Sequence, residues 1–410
     1  MTKVLRILNR FNLGGPTYNA AYLTKYLEPD FETMIIGGKH EVSECNSAYI
    51  LENLGITPII IPEMHRSINI FKDYIAYKKI KKIIQEFQPD IVHTHASKAG
   101  MLGRYAAHRC KVPVIVYTFH GHIFHSYFNK YATAFFKFLE RRLANYCDKI
   151  IAISNIQKHE LADIHKIAKA DKFAVIPLGF DLQRFQDNYD QKRQLFRQKY
   201  QIDEQSIVIS IVGRLVPIKN HKLFIDAFTA VKNKTSKKII ALIVGDGELK
   251  QDLLTQAQNN GLLCSTLEIQ IANPDIFFTS WIKEVDAVFA ASDIACLTSS
   301  NEGTPVSLIE AQAANTAVVS TRTGGVEDIV IENETALLAE SNNLEDFASK
   351  LLSLVEDDDL RQKFSQQSWN FVKNKFSYMR LCNDMKLLYN QLLTEKNKKN
   401  VKKHKFFFLN

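Results

Sequence analysis

The chain has 410 residues, of which 46% are hydrophobic and 23% charged, a composition typical of folded globular proteins. It excludes a largely disordered or collagen-like chain, and the length suggests two or three domains. No apolar run approaches the roughly 18 residues of a membrane-spanning helix, and we expect no signal peptide. The six cysteines include no Cys-x-x-Cys pair, which argues against a disulfide framework or zinc cluster and favours a reducing, cytoplasmic environment.

The formal net charge of +8 is unevenly distributed. Residues 1–182 carry 24 Lys and Arg against 16 Asp and Glu, and residues 183–395 carry 22 against 28. Residues 396–410 carry six Lys, no acid and three consecutive Phe, a mixture compatible with anionic lipid, with a solvated tail as the alternative. The basic segments favour an anionic partner. Because no RNA-binding or helix-turn-helix signature accompanies them, nucleic acid is not expected.

Short apolar runs alternate with helical patterns along the chain. The first part contains predicted strands at residues 4–8, 33–36, 59–61, 91–93, 114–117, 149–153 and 174–176. Predicted helices between them cover about residues 17–27 and 70–87. The pattern restarts with strands at residues 207–212, 239–244, 267–271, 276–278, 294–297 and 317–320, and with a helix at 221–232. Strands separated by helices imply parallel β-α-β units in doubly wound sheets.

The restart predicts an α/β chain of two Rossmann-like domains, residues 1–182 and 183–369. Helices from about residue 370 to 395 are expected to return to the first domain, followed by the basic tail 396–410. Two such domains facing each other would form a cleft at the carboxyl ends of their strands, where ligands bind in open α/β folds.

A glycine pair, Gly14-Gly15, follows the first predicted strand. A dinucleotide fingerprint would read Gly-x-Gly-x-x-Gly with an acidic residue ending the second strand, and neither feature is present, so NAD binding is disfavoured. The pair would let the backbone approach a ligand closely, with an anion at the start of the following helix. A tight strand-to-helix turn explains it as well.

Two cations follow the first strand of the second half. Arg214 and Lys219 flank a turn that contains Pro217. An Arg fork and a Lys point charge at a strand's carboxyl end could together clamp a diphosphate. The alternative is surface charge on a loop.

The segment after the strand at residues 294–297 is the most informative. Pro305 suits the first turn of a helix, and Val306, Ser307 and Leu308 would then offer free backbone N–H groups to an anion. Two carboxylates bracket this position: Glu302 in the loop and Glu310 more than a turn inside the helix. They could hold sugar and ribose hydroxyls, although a helix-dipole partner and a solvated helix face are the alternatives.

Taken together, these segments resemble the retaining glycosyltransferases of family 4, which have the two-domain GT-B fold. The resemblance extends to about Leu392. Its motifs are Gly14-Gly15, Thr-Phe-His-Gly at 118–121, the Arg214 to Lys219 spacing, Glu-x7-Glu from Glu302 to Glu310, and Thr-Gly-Gly-Val-Glu at 323–327. Their combination in this order is specific, although each alone is not.

The resemblance implies a site for a nucleotide-sugar donor. Arg214 and Lys219 would hold the diphosphate, Glu310 the ribose and Glu302 the sugar, with His120 near the sugar and the β-phosphate. A core histidine is the alternative for His120. The remaining implied donor contacts are Gly14 and Gly15, the base-reading segment with Ser280 and Trp281, and the pocket residues Gly303, Thr304, Pro305, Val306, Ser307 and Leu308.

The resemblance also implies the reaction and its partners. The donor is expected to be UDP-linked, carrying a hexose or N-acetylhexosamine, and the acceptor to be a surface glycan or a polyprenyl-diphosphate-linked oligosaccharide. Attack on the same face would let the leaving diphosphate deprotonate the acceptor, with Arg214 and Lys219 in place of a metal ion. No bound metal or other cofactor is expected.

Such an acceptor would place the enzyme on the inner face of the cytoplasmic membrane. Residues 70–87 and 127–138 mix basic with apolar or aromatic side chains, a pattern of interfacial helices, although ordinary packed helices also show it. Two other functions stay open: a sugar-nucleotide epimerase of the same fold and a non-catalytic nucleotide-sugar-binding protein. The Glu-x7-Glu and Arg-x4-Lys pairing favours transfer, and the oligomeric state is not predicted.

Overall fold

The computed structural model describes residues 1–11, 15–39, 48–65, 67–121 and 130–407, with backbone alone for Ala48 and residues 399–407. The chain divides into two compact units. The first comprises Met1–Phe180 and Phe376–Asn410, and the second comprises Asp181–Lys375.

Each unit contains a seven-stranded sheet in which all neighbouring strands are parallel. The strands of the first unit are β1 Thr2–Arg10, β2 Phe31–Gly38, β3 Ile59–Ile60, β4 Ile91–His95, β5 Val114–Phe119, β6 Lys149–Ala152 and β7 Phe173–Val175. Those of the second unit are β8 Ile207–Val212, β9 Ile239–Val244, β10 Cys264–Ser265, β11 Ile276–Ser280, β12 Ile294–Leu297, β13 Ala317–Thr321 and β14 Ala336–Ala339. The spatial orders are β3-β2-β1-β4-β5-β6-β7 and β10-β11-β9-β8-β12-β13-β14.

Helices connect the strands. They are α1 Gly15–Tyr26, α2 Ala48–Asn53, α3 Ile70–Phe87, α4 Ser97–Arg109, α5 Lys130–Ala144, α6 Asn155–His159, α7 Tyr189–Lys199, α8 His221–Lys232, α9 Lys250–Asn259, α10 Val285–Ala291, α11 Val306–Ala313, α12 Leu344–Glu356, α13 Asp358–Phe376 and α14 Tyr378–Phe407. Helix α14 belongs to the first unit and runs into the basic tail without a break. In the described residues, no helix is both long and apolar enough to cross a membrane.

Helices cover both faces of each sheet. Alternate residues of a strand point to opposite faces, so neighbouring residues pack against different helices. In the first unit Val4 packs in a core with side chains of α1 and α14, whereas its neighbour Leu5 packs in a core with α3 and α4. In the second unit Ile209 packs with α8 and α12, and Val208 packs with α7 and α10. The near-continuous apolar runs read in the sequence are therefore strands buried on both faces.

The strand order creates a topological switch point in each sheet. In the second unit β8 lies between β9 and β12, and the chain leaves β8 toward one side of the sheet before it returns to the other. The loops that follow β8 and β12 lie at the carboxyl edge of this switch point, the place where ligands bind in open α/β folds. In the first unit β1 holds the same place between β2 and β4.

One predicted strand was wrong, and two were missed. Residues 267–271 alternate apolar and polar side chains, but they form an irregular loop in which Leu267 and Ile269 are exposed. Thr266 and Ile269 instead close a turn, with the Thr266 N–H donating to the Ile269 carbonyl (2.8 Å). The alternation was misleading because neither face of this segment is buried. The short strands β10 and β14 were not predicted, whereas the other predicted strands are confirmed with small shifts at their ends.

Candidate functional site

The candidate site of the second unit lies at the carboxyl edge of its sheet. Five neighbouring strands, β11, β9, β8, β12 and β13, end there. The loops that follow them contain most of the residues singled out in the sequence: Arg214 and Lys219 after β8, Ser280 and Trp281 at the end of β11, and the segment 302–308 after β12. The topology therefore explains why residues almost one hundred positions apart lie at one sheet edge.

Lys219 and Glu302 form an ion pair between the loops that follow β8 and β12. Lys219 Nζ lies 2.5 Å from Glu302 Oε1. The Ser299 hydroxyl, at 2.6 Å, donates to the same carboxylate oxygen. Both charged side chains are mostly buried, at 24% and 10% exposure. One oxygen of Glu302 is thus engaged twice, which fixes the carboxylate in place.

Hydrogen bonds to backbone carbonyls also hold these loops together. The Ser300 N–H donates to the Ile218 carbonyl (2.9 Å), and the Thr298 hydroxyl donates to the Lys219 carbonyl (3.1 Å). The Thr321 hydroxyl donates to the Ser299 carbonyl (2.8 Å). The ion pair is therefore built on a hydrogen-bonded framework that joins three adjacent strands.

Arg214 differs from Lys219 in being uncommitted. Its side chain is exposed, and within the described part of the chain it makes no ion pair. The backbone next to Arg214 is fixed, since the Leu215 N–H donates to the Asp246 carbonyl (2.9 Å). A guanidinium on a fixed loop beside a lysine can accept an anion with little loss of backbone entropy.

The start of α11 is also open, although less than expected. Pro305 precedes the helix in an extended conformation and is buried, and no acidic side chain occupies the first turn. Val306 and Ser307 are half-buried. The expectation that Leu308 offers a free amide was wrong, because its N–H donates to the Pro305 carbonyl (3.1 Å) as the first turn tightens. Gly303 is exposed, and Thr304 is half-buried.

Two glycines after β13 permit the backbone to approach the Glu302 loop. A Cβ on Gly324 would lie 1.9 Å from the Glu302 carbonyl oxygen, and one on Gly325 would lie 1.8 Å from the Gly303 carbonyl oxygen. Gly324 also has φ +49°, which disfavours other residues. The two glycines of the Thr-Gly-Gly-Val-Glu motif thus pack against the backbone of the Glu302 loop, a role that the sequence pattern alone did not reveal.

The loop after β9 is held in a similar way. A Cβ on Gly245 would lie 1.9 Å from the Gly213 carbonyl oxygen. Between Gly245 and Gly247, Asp246 accepts a hydrogen bond from the Ser280 hydroxyl (2.6 Å), which lowers the pKa of the Asp246 carboxyl. Ser280 has φ +58°, and the adjacent Trp281 is 47% exposed. The indole is therefore available to a flat ligand group.

Glu310, eight residues beyond Glu302, lies in a different environment. Burial raises the pKa of its carboxyl to about 7, opposed by the nearby Arg184 guanidinium. Arg184 Nη2 lies 3.4 Å from Glu310 Oε1. The solvated helix face considered above is thus not what Glu310 occupies. Arg184 was missed in the sequence because it lies in the polar boundary segment far from any motif.

In the first unit, His120 follows β5 and is half-buried. Its Nε2 lies 2.9 Å from Nδ1 of His95, a fully buried residue at the end of β4. Burial lowers the pKa of His120 to about 3, so its imidazole is neutral at physiological pH. It can thus donate or accept a hydrogen bond without carrying charge.

Other predicted residues are less informative. Gly14 lies outside the described residues. Gly15 opens α1, and a Cβ there would meet only an ordinary contact, the Leu178 side chain at 3.5 Å. Among the residues that the structure covers, no three His, Cys, Asp or Glu are grouped so as to hold a metal ion.

Comparison with known families covers both units. Residues 14–184 match the family described as Glycosyltransferase Family 4, and residues 192–370 match the family described as Glycosyl transferases group 1.

Two curated relatives are similar over most of their length. The chain is 30% identical over 342 residues to the Escherichia coli UDP-Gal:alpha-D-GlcNAc-diphosphoundecaprenol alpha-1,3-galactosyltransferase, covering 83% of this chain and 85% of the relative. It is 26% identical over 342 residues to the capsular polysaccharide biosynthesis glycosyltransferase CapM of Staphylococcus aureus, covering 82% and 85%. The names of these relatives are those of transferases, which does not favour the epimerase or the non-catalytic binding protein considered above.

Solved structures share the fold. A glycosyltransferase from Rickettsia africae superposes with a TM-score of 0.76 at 22% identity, covering 96% of this chain and 98% of that one. Anabaena Alr3699/HepE in complex with UDP superposes with a TM-score of 0.76 at 18% identity, covering 95% and 100%.

Proposed function

Because the chain belongs to the family-4-like glycosyltransferases, which have the GT-B fold of two Rossmann-like units, we propose that it is a retaining enzyme with a UDP-linked donor. The proposed sugar is a hexose or an N-acetylhexosamine, and the acceptor a lipid-linked or surface glycan. The observation that carries the proposal is the fixed Lys219–Glu302 pair beside the uncommitted Arg214, at the switch point of the second sheet.

The donor is proposed to bind at the carboxyl edge of the second unit. Arg214 and Lys219 take the diphosphate, whose charge they also stabilise as it leaves. Glu302 accepts hydroxyls of the sugar, and Glu310 accepts those of the ribose. The exposed Trp281 supports a position for the base beside β11, where Ser280 already turns the backbone away from the strand.

Retention is proposed to occur by attack on the face that the diphosphate leaves. Glu302 is poorly suited to act as a nucleophile, because its Oε1 accepts from both Lys219 and Ser299. The leaving diphosphate oxygen is the proposed base that takes the acceptor's proton, while Arg214 and Lys219 hold the developing charge. These two cations are the proposed replacement for a metal ion, so turnover should persist in EDTA.

The acceptor class is inferred from the relatives and from the surface of the first unit. The E. coli relative is named for a diphosphoundecaprenol acceptor, and the S. aureus relative for capsular polysaccharide. We propose an acceptor of this kind, reached at a membrane surface. His120 is proposed to act near the sugar and the β-phosphate, as the resemblance implies.

An exposed apolar face supports this membrane contact. Ile70 and Phe71 at the start of α3 are 80% and 84% exposed, and Tyr131 and Phe135 on α5 are 77% and 60% exposed. Helix α4 contacts both α3 and α5. Exposed basic side chains on these two helices include Lys72, Lys78, Lys130, Arg141 and Arg142. Aromatic and basic groups together fit an anionic lipid surface.

This face is not the one expected from the sequence. Ile80 and Ile84 of α3 are buried in the core, so they do not meet lipid, and the start of the helix presents the apolar side chains instead. Residues 127–129 of the second predicted interfacial stretch lie outside the described residues.

A transfer assay tests the proposal. The full chain is incubated in EDTA with UDP-, GDP- or ADP-sugars and a synthetic polyprenyl-diphosphate-linked GlcNAc, and the lipid product is identified by mass spectrometry. We expect a product from a UDP-sugar only, with the anomeric configuration of the donor. An inverted product would overturn retention, a GDP- or ADP-sugar product would overturn the donor, and activity only with added divalent metal would overturn the role given to the two cations.

A further inference from the structure

We infer that His95 is a positioning residue for His120, whose ring orientation and tautomer it fixes within a stack of three imidazoles anchored by Tyr389. The inference rests on the proposed function, because it gives His120 a defined hydrogen-bonding role at the substrate. It concerns residues that lie outside the donor loops of the second unit.

The stack follows from strand register. In the β4–β5 pair, His93 lies opposite Val116 and His95 opposite Thr118. His93 Nε2 reaches diagonally to the Thr118 hydroxyl at 2.7 Å, and His95 Nδ1 reaches by the same offset to His120 Nε2 at 2.9 Å. The rings of His93 and His95 have centroids 4.1 Å apart, and those of His95 and His120 have centroids 5.2 Å apart.

The far end of the stack is anchored by the C-terminal helix. The Tyr389 hydroxyl on α14 lies 2.6 Å from His93 Nδ1. Arg6 Nη1 approaches the same nitrogen at 3.2 Å and donates to the Tyr389 oxygen at 3.1 Å. Because a guanidinium can only donate, the contact with Arg6 makes His93 Nδ1 an acceptor without hydrogen, and Nε2 then carries the hydrogen that is donated to Thr118. The tautomer of His93 is therefore determined.

The stack is kept neutral. Burial holds the pKa of His93 and of His95 well below the ordinary value, and the Arg6 cation acts in the same direction. Arg6 is itself fully buried on β1, where it also donates to the Leu23 carbonyl (3.2 Å). A second positive charge within this cluster would be repelled, so each imidazole carries one N–H.

Neutrality leaves two arrangements for the His95–His120 bond. If His120 donated from Nε2, the remaining N–H of His95 would be at Nε2; if His95 donates from Nδ1, the remaining N–H belongs to Nδ1 of His120. Both of these nitrogens are buried and have no hydrogen-bond partner among the described residues. They differ in access, because the His95 ring is fully buried whereas His120 is half-buried, so only an N–H on His120 can gain a partner from bound substrate, and the second arrangement is favoured. His120 then presents Nδ1–H as a donor to an oxygen of bound substrate.

Histidine NMR tests the tautomer directly. The full chain is labelled with ¹⁵N-histidine, and long-range ¹H–¹⁵N correlations at pH 7.5 report which ring nitrogen carries hydrogen, with His120→Asn used to assign the signals. We expect His120 to be protonated at Nδ1 and His93 at Nε2. Protonation of His120 at Nε2 in the wild-type chain would overturn the inference, whether or not transferase activity is found.

Two substitutions of His95 distinguish its hydrogen bond to His120 from its contribution to packing. In His95→Asn the side-chain amide can still donate from the place of Nδ1, whereas His95→Leu keeps volume without a donor. We expect His95→Leu to lose the single tautomer of His120 and to lower kcat about tenfold with little change in the KM for donor, because one hydrogen bond is lost. His95→Asn should stay within about threefold of the wild type.

The outcomes separate this inference from the proposed function. A wild-type tautomer and kcat in His95→Leu would overturn the inference while the transferase stands. An equal loss in both variants would also overturn it, because packing and not donation would then matter. A wild-type chain without transferase activity would overturn the proposed function, and the NMR result would still decide the role of His95.

Discussion

Lys219 and Glu302 are 83 residues apart and lie in the loops after β8 and β12, yet Nζ and Oε1 are 2.5 Å apart. The Ser300 N–H ties the two loops together by donating to the Ile218 carbonyl, and the Ser299 hydroxyl holds the Glu302 carboxylate. Each partner orients the other: Glu302 holds the ammonium at the switch point, and Lys219 neutralises a carboxylate beside the place proposed for a diphosphate. A bound donor would then meet a site whose charges are already arranged.

Replacement of Lys219 is the first prediction. Lys219→Ala should lower kcat on the order of 10²–10³-fold, because a preorganised cation facing developing charge is lost. The matched control is Lys222→Ala, an exposed lysine three residues further along, which should retain wild-type turnover. Steady-state release of nucleotide measures both, and near-normal turnover of Lys219→Ala would contradict the role proposed for its ammonium.

The second prediction concerns pH. The pKa of folded Glu310 is about 7, raised by burial, so the carboxylate form grows from a minority at pH 6 to a majority at pH 8. If the carboxylate accepts ribose hydroxyls, UDP should bind more tightly as the pH rises through this window.

A carboxamide at position 310 provides the comparison. Glu310→Gln should bind UDP roughly tenfold more weakly at pH 8 and lack this component of the pH dependence. The exposed control Glu334→Gln should behave as wild type. The affinity for UDP is measured calorimetrically for the three proteins between pH 6 and 8. Because the protonation of UDP itself affects all three equally, it cancels when their affinities are compared. Parallel curves for wild type and Glu310→Gln would exclude Glu310 as the titrating group.

The third prediction separates steric contact from backbone strain. Gly324 and Gly261 have φ of +49° and +79°, but a Cβ on Gly324 meets the Glu302 carbonyl at 1.9 Å, whereas one on Gly261 meets nothing within 4 Å. Gly324→Ala should cost about 1–3 kcal/mol more unfolding free energy than Gly261→Ala, and it should also lower kcat by displacing Glu302. Chemical denaturation and turnover measure the two effects. Equal effects in both variants would mean that strain, and not the contact with Glu302, decides.

The fourth prediction tests the proposed lipid-binding surface. A Phe71→Ser, Phe135→Ser double variant should bind vesicles containing phosphatidylglycerol at least about tenfold more weakly, because two exposed rings no longer enter the interface. Leu195→Ser, a 57% exposed apolar residue on the second unit, is the control. Wild-type binding should also weaken in salt and on pure phosphatidylcholine. Unchanged binding of the double variant would exclude this surface.

Local patterns predicted most strands, because buried parallel strands such as β8 and β9 are near-continuous apolar runs that are followed directly by glycines. The same rule failed at residues 267–271, where alternation occurs without burial. Burial is decided by neighbours in space, which a local pattern does not contain.

The candidate site was predictable only as far as its residues follow strand ends. The positions of Arg214, Lys219 and Glu302 could be foreseen, but the pairing of Lys219 with Glu302 depends on strand order. The stack from Tyr389 to His120 joins β4, β5 and the C-terminal helix, and no spacing in the sequence suggests it. The contact of Gly324 with the Glu302 backbone was hidden for the same reason.

The most direct measurement is nucleotide release by the purified chain from a panel of UDP-, GDP- and ADP-sugars without acceptor. The account predicts slow release of UDP from one class of UDP-sugar, together with UDP binding that depends on Glu310. Failure to release or to bind any of these nucleotides would contradict the assignment of the second unit as the donor site.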